Sequence, residues 1–77
     1  MDKKIIEIDT EYIKLDSFLK YVGIAETGGQ AKHLVTDSKV LVNGEICLMR
    51  GKKLHNKDQV VYNGELYEVS AKWGFKV

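Results

Sequence analysis

Arg50, Lys52 and Lys53 flank Gly51 in one short run, with Lys32 and Lys39 upstream and Lys57 just beyond. Across residues 27–57 these six cations face only Asp37 and Glu45, a balance of +4. Residues 1–26 carry −2 and residues 58–77 carry −1, so the formal net charge of +1 conceals a concentrated positive segment. Clustered cations bind polyanions without a shaped pocket, because each phosphate neutralised releases condensed counterions. A glycine inside the run gives a phosphate room to approach the backbone. An ordinary solvated loop is the alternative reading.

Thr27-Gly28-Gly29-Gln30 offers a second kind of anion chemistry. Amides at a helix start point outward and carry the positive end of the dipole, so Gly28 and Gly29 can present donors to a phosphate. The competing reading is an ordinary cap, in which Thr27 and Gln30 occupy those donors. Lys32 and Lys39 extend the basic face or serve solubility alone. His33 can donate to phosphate or stack on a base, although an exposed histidine without a special role is the commoner case.

Catalytic chemistry is poorly served. His33, Asp37 and Cys47 invite a nucleophile reading, but the first two sit four residues apart on one short helix, with no oxyanion device or second base. Cys47 is the only cysteine, which excludes an intrachain disulfide and a cysteine zinc cluster; a small apolar packing role is expected for it. A non-enzyme without cofactor or metal is therefore expected. The aromatics Tyr12, Tyr21, Tyr62, Tyr67, Trp73 and Phe75 are scattered, and packing explains them better than base stacking.

These residues need elements to hold them. Ile5-Ile6-Glu7-Ile8 is a β-branched run fit to pair as a strand. Leu15, Phe18, Leu19 and Val22 follow the i, i+3, i+4, i+7 spacing of one helix face, which Asp16 opens and Gly23 closes. Thr27 starts a second, short helix with Ala31, Leu34 and Val35 as its apolar stripe, packed on the first as a hairpin. From Lys39 the period changes to that of strands. Val40-Leu41-Val42 turns at Asn43-Gly44 into Glu45-Ile46-Cys47, a cation-rich loop follows over Met49–Lys57, and Val60-Val61-Tyr62 turns at Asn63-Gly64 into Leu66–Val69. The predicted class is α+β, a two-helix hairpin packed on a small, mostly antiparallel sheet.

This order of residues resembles the S4-like RNA-binding domain. Leu15-Asp16, Leu19, Gly23, Thr27, Ala31, Leu34-Val35 and Val40-Leu41-Val42-Asn43-Gly44 carry the likeness, and Lys57-Asp58-Gln59-Val60 looks like the family's Gly-Asp-x-Val strand entry. It spans residues 12–69 and is closest to the small stand-alone bacterial YaaA-like proteins, through Thr27-Gly28-Gly29-Gln30-Ala31-Lys32 and Arg50-Gly51-Lys52-Lys53-Leu54. Two departures stand out. Gly28 takes the place of an arginine that follows the helix-opening Ser or Thr, so Lys32 one turn later would inherit its phosphate contact. Ser38 stands where the family often has glycine before the first hairpin strand.

The resemblance implies the alpha-L RNA-binding motif and an accessory rather than catalytic role. It implies an interface drawn from Thr27, Gly28, Gly29, Gln30, Lys32, His33, Lys39, Asn43, Arg50, Gly51, Lys52 and Lys53. The implied partner is structured RNA, ribosomal or transfer, with the ribosome or a partner protein as further candidates. A protein adapter that docks through an apolar or aromatic patch, for instance around Trp73 and Phe75, is the alternative.

Size agrees with these expectations. At 77 residues the chain is read as one domain, and so short a chain buries only about 60% of its unfolded surface. Enclosing a metabolite would empty its core. A hydrophobic fraction of 44% argues against disorder. The N-terminus lacks the apolar stretch of a secretory signal, and no run approaches the length of a membrane span. A monomeric bacterial cytoplasmic protein is expected.

Overall fold

A computed structural model describes residues 2–72. Its elements follow in chain order as β1 (Lys3–Ile8), β2 (Ile13–Lys14), α1 (Leu15–Tyr21), α2 (Gly28–Thr36), β3 (Val40–Val42), β4 (Glu45–Ile46), β5 (Lys53–Leu54), β6 (Gln59–Tyr62) and β7 (Glu65–Ala71). The predicted α+β arrangement is present, and Trp73 and Phe75 lie outside the described residues.

Both Asn-Gly turns form as their chemistry requires. Asn43 and Gly44 adopt φ of 52° and 86°, and Asn63 and Gly64 adopt 50° and 78°, the paired left-handed values that match the twist of a two-residue hairpin. The first turn joins β3 to β4, with Val42 opposite Glu45; the second joins β6 to β7, with Tyr62 opposite Glu65. β3 also pairs antiparallel with β6, and β1 closes the sheet as a parallel neighbour of β7. The resulting order is β1-β7-β6-β3-β4. Among the described strands only the β1–β7 pair is parallel, and the intervening helices provide the crossover that parallel strands need.

The helices pack their apolar stripes together and onto this sheet. Leu15, Phe18 and Leu19 of α1 and Ala31 and Val35 of α2 are fully buried, alongside Val40, Val60, Val69 and Ala71 from the sheet. Phe18 meets Tyr67 edge to face at 6.1 Å, a favoured aromatic geometry. α1 ends where Gly23 takes φ of +85° and its amide donates to the Lys20 carbonyl.

A second, two-stranded sheet emerges from the stretch read as loop. β2 pairs antiparallel with β5, Ile13 opposite Leu54 and Lys14 opposite Lys53. Leu54 is fully buried and Ile13 packs against the core, so the ribbon turns its other residues outward. Burying a leucine is worth about 1.5–3 kcal/mol, whereas a like-charge pair across strands costs at most about 1 kcal/mol. The Leu54 anchor therefore outweighs the repulsion of Lys14 and Lys53.

Candidate nucleic-acid interface

The first turn of a helix leaves amides without intrahelical partners. Lys14 precedes α1 without a side-chain cap, and the cationic loop supplies the acceptors instead. The Leu15 amide donates to the Lys52 carbonyl at 2.8 Å, and the Asp16 amide to the Arg50 carbonyl at 3.0 Å. The Lys52 amide closes the turn on the Met49 carbonyl at 3.1 Å. Backbone atoms thus hold the loop, while the side chains of Arg50, Lys52 and Lys53 remain at an exposed surface.

Ion pairing sets one group of cations apart from the rest. Among the described residues, Lys3, Lys4 and Lys72 pair with Glu68, Glu65 and Glu7. These carboxylates belong to β1 and β7. Lys32, Lys39, Arg50, Lys52, Lys53 and Lys57 are exposed and form no ion pair with a described carboxylate. The β1–β7 edge of the sheet is thus neutralised internally and the segment from α2 to β5 is left positive, while Lys14 of β2 and Lys20 of α1 likewise form no ion pair with a described carboxylate.

The predicted site residues fall into three groups, with Asn43 standing apart. Arg50, Gly51, Lys52 and Lys53 come together at the start of α1, and Lys53 lies 4.7 Å from the Tyr12 ring centroid as a cation–π pair. Thr27, Gly28, Gly29 and Gln30 open α2, beyond the last turn of α1 and the connection Gly23–Glu26. Lys32, His33 and Lys39 are exposed on α2 and just after it. Asn43 alone is tied into the fold by its side chain on both sides: its Nδ2 donates to Asp58 (3.2 Å), and its Oδ1 accepts from the Gln59 amide (2.9 Å).

At the start of α2 both readings of the sequence have a place. Thr27 Oγ1 accepts from the Gln30 amide at 3.1 Å, and Gln30 Oε1 accepts from the Glu26 amide at 2.7 Å. That capping box leaves the exposed amides of Gly28 and Gly29 without a protein partner in the contacts described. Neither glycine has a positive φ, and a Cβ at Gly28 would meet nothing within 4 Å. Folding therefore does not require glycine at either position.

The sequence pattern favoured packing for Tyr12 and no special role for His55, and it singled out nothing at Lys14. They share the outer face of the ribbon with Lys53, and Tyr12 and His55 lie 5.9 Å apart between ring centroids. The signal was a period of two in Tyr12-Ile13-Lys14 and Lys53-Leu54-His55, too short to stand out. On the other side of the loop, Ile46, Leu48 and Met49 are exposed apolar residues that line an open groove with Lys52. Cys47 is half-buried against the core, its thiol directed at the Met49 carbonyl, so it does not join His33 and Asp37 as a site. Among the described residues no group of three or more His, Cys, Asp or Glu could hold a metal ion. No described helix is long and apolar enough to cross a membrane.

Comparison with known proteins agrees with this architecture. The profile of the S4 domain matches residues 6–70. A protein of Bacillus subtilis (strain 168), described as the probable ribosome maturation protein RlbA, is 44% identical over 59 residues, covering 77% of this chain and 83% of the relative.

Proposed function

The chain belongs to the S4 domain family, and from that premise we propose that it is a non-catalytic protein that binds structured RNA through its unneutralised basic face. The carrying observation is the loop Arg50–Lys53, whose backbone is fixed on α1 while its cations lack carboxylate partners among the described residues. A loop already ordered loses little entropy on binding, so each phosphate contact is retained more fully as affinity. Arg50, Lys52 and Lys53 clamp phosphates at one end of α1. Lys32 and the free amides of Gly28 and Gly29 meet the backbone near the other, with Lys39 and His33 extending the surface.

Such contacts fix position and carry little base information, so recognition rests on the shape and charge of the RNA. Ribosomal RNA is the preferred ligand, since the Bacillus relative is described as a ribosome maturation protein; transfer RNA is the other structured candidate. The protein acts in the bacterial cytoplasm, as a monomer and without a cofactor. Fluorescence anisotropy with a ribosomal RNA stem-loop, a transfer RNA and a matched duplex DNA, over a salt series, tests this reading. Tighter binding to RNA than to DNA supports it, and equally poor binding to all three refutes it.

A second reading has its own observation. Ile46, Leu48 and Met49 line an exposed apolar groove beside the cations, the kind of surface an adapter would dock on a partner protein. It becomes the leading account if RNA binding fails.

A further inference from the structure

We infer that the outer face of the β2–β5 ribbon is a seat for one unpaired nucleotide of the RNA, an inference that rests on the RNA-binding reading above. Four side chains converge there. Ile13 and Leu54 turn inward, which places Tyr12 and Lys14 on the outer side of one strand and Lys53 and His55 on that of the other. Tyr12 and His55 approach at 5.9 Å with their planes tilted by 47°. Lys53 Nζ lies 4.7 Å from the Tyr12 centroid, and Lys14 stands directly across the ribbon from Lys53.

Each residue has a distinct part. The His55 side chain is 55% exposed and offers a flat ring on which a base can stack. Its backbone is held in place, since the His55 amide donates to Asp58 Oδ2 at 2.7 Å, and the Asp58 amide returns to the His55 carbonyl at 3.1 Å. Tyr12 is a positioning residue: its tilted ring packs beside His55, and its face tethers the Lys53 ammonium. Lys14 and Lys53 face each other without a carboxylate partner among the described residues, an unfavourable pairing that a bridging phosphate relieves. An aromatic ring beside paired cations matches the two ends of a nucleotide, a base and its phosphate. Bases within a duplex are already stacked on each other, so this seat selects a bulged or looped-out one.

The test compares two RNAs, a fully paired stem and the same stem with one bulged nucleotide, for wild type, His55→Ala and His55→Phe. The wild type is expected to favour the bulged stem by at least about fivefold. His55→Ala is expected to lose that preference while binding the paired stem as before, and His55→Phe, which keeps a ring, to retain it. Paired-stem binding without any preference in the wild type would overturn this inference and leave the wider RNA reading standing. A preference that survives in His55→Ala would overturn it equally. Failure to bind either RNA would remove the RNA reading itself.

Discussion

The backbone carbonyl of Arg50 accepts a 3.0 Å hydrogen bond from the amide of Asp16, so the cationic loop is the N-terminal cap of α1. Placing a charged loop by its main chain leaves the side chains free for a ligand. It also makes the cations replaceable without unfolding the helix, because the capping atoms belong to every residue type. Structure and binding therefore separate here by atom, with carbonyls committed to the fold and guanidinium and ammonium groups to solvent.

Asn43 presents the opposite case. Its side chain bonds Asp58 and the Gln59 amide, and its φ of 52° suits asparagine better than alanine. Asn43→Ala is expected to destabilise the protein by about 2 kcal/mol, combining lost hydrogen bonds with backbone strain. RNA affinity of the folded fraction should stay unchanged. Urea unfolding and anisotropy on the same sample check both halves, and a large loss of affinity would return Asn43 to the interface.

Glycine at positions 28 and 29 should show a trade between stability and binding. Gly28→Ala and Gly29→Ala meet no steric obstacle and are each expected to stabilise the protein by roughly 0.5 kcal/mol. Both should weaken RNA binding several-fold, since a methyl group would stand between phosphate and amide. Stabilised variants with unaltered affinity would reduce this helix start to an ordinary cap.

Ser38 and Lys57 hold left-handed backbone conformations, with φ of 60° and 72°. Both stand where the resemblance expects glycine, and the reason for that preference is now visible: these turns need positive φ. Ser38→Gly and Lys57→Gly are each expected to raise stability by several tenths of a kcal/mol, strain relief exceeding the entropy gained by the unfolded chain. The midpoint of urea unfolding should rise at constant slope; a fall would mean the side chains contribute more than their backbone costs.

Acid should act through Glu68. Gln59 Nε2 donates to its carboxylate at 3.0 Å and Lys3 Nζ at 3.3 Å, and these bonds hold its pKa below the ordinary glutamate value. A lowered folded-state pKa gives a contribution that is complete above the ordinary glutamate range and is lost as pH falls through the lowered value. Melting temperatures of wild type and Glu68→Gln should therefore differ most near neutrality and converge as pH falls below the ordinary glutamate range. A constant difference across that range would contradict this assignment.

Much of the fold was legible because its signals are local. The Asn43-Gly44 and Asn63-Gly64 turns, the apolar spacing from Leu15 to Leu19 and the Thr27 cap each act within a few residues, and all of them form. The β2–β5 ribbon was hidden, since a two-residue strand such as Ile13–Lys14 has no period to read and depends on a partner distant in the chain. The parallel pairing of β1 with β7 was hidden for the same reason. At the candidate site, sequence supplied the cations but not their freedom from ion pairs, which depends on where Glu7, Glu65 and Glu68 fall across the sheet. It also scattered Tyr12 and His55, which pairing brings into contact.

The most direct test of the account is the salt dependence of RNA binding by wild type and by a variant with Arg50, Lys52 and Lys53 all changed to alanine. The variant is expected to melt close to wild type, since the Arg50 and Lys52 carbonyls remain, and its slope of log affinity against log salt is expected to flatten by roughly two to three units. A variant that stays folded and retains the wild-type affinity and slope would contradict it, and the basic loop would then be only a cap for α1.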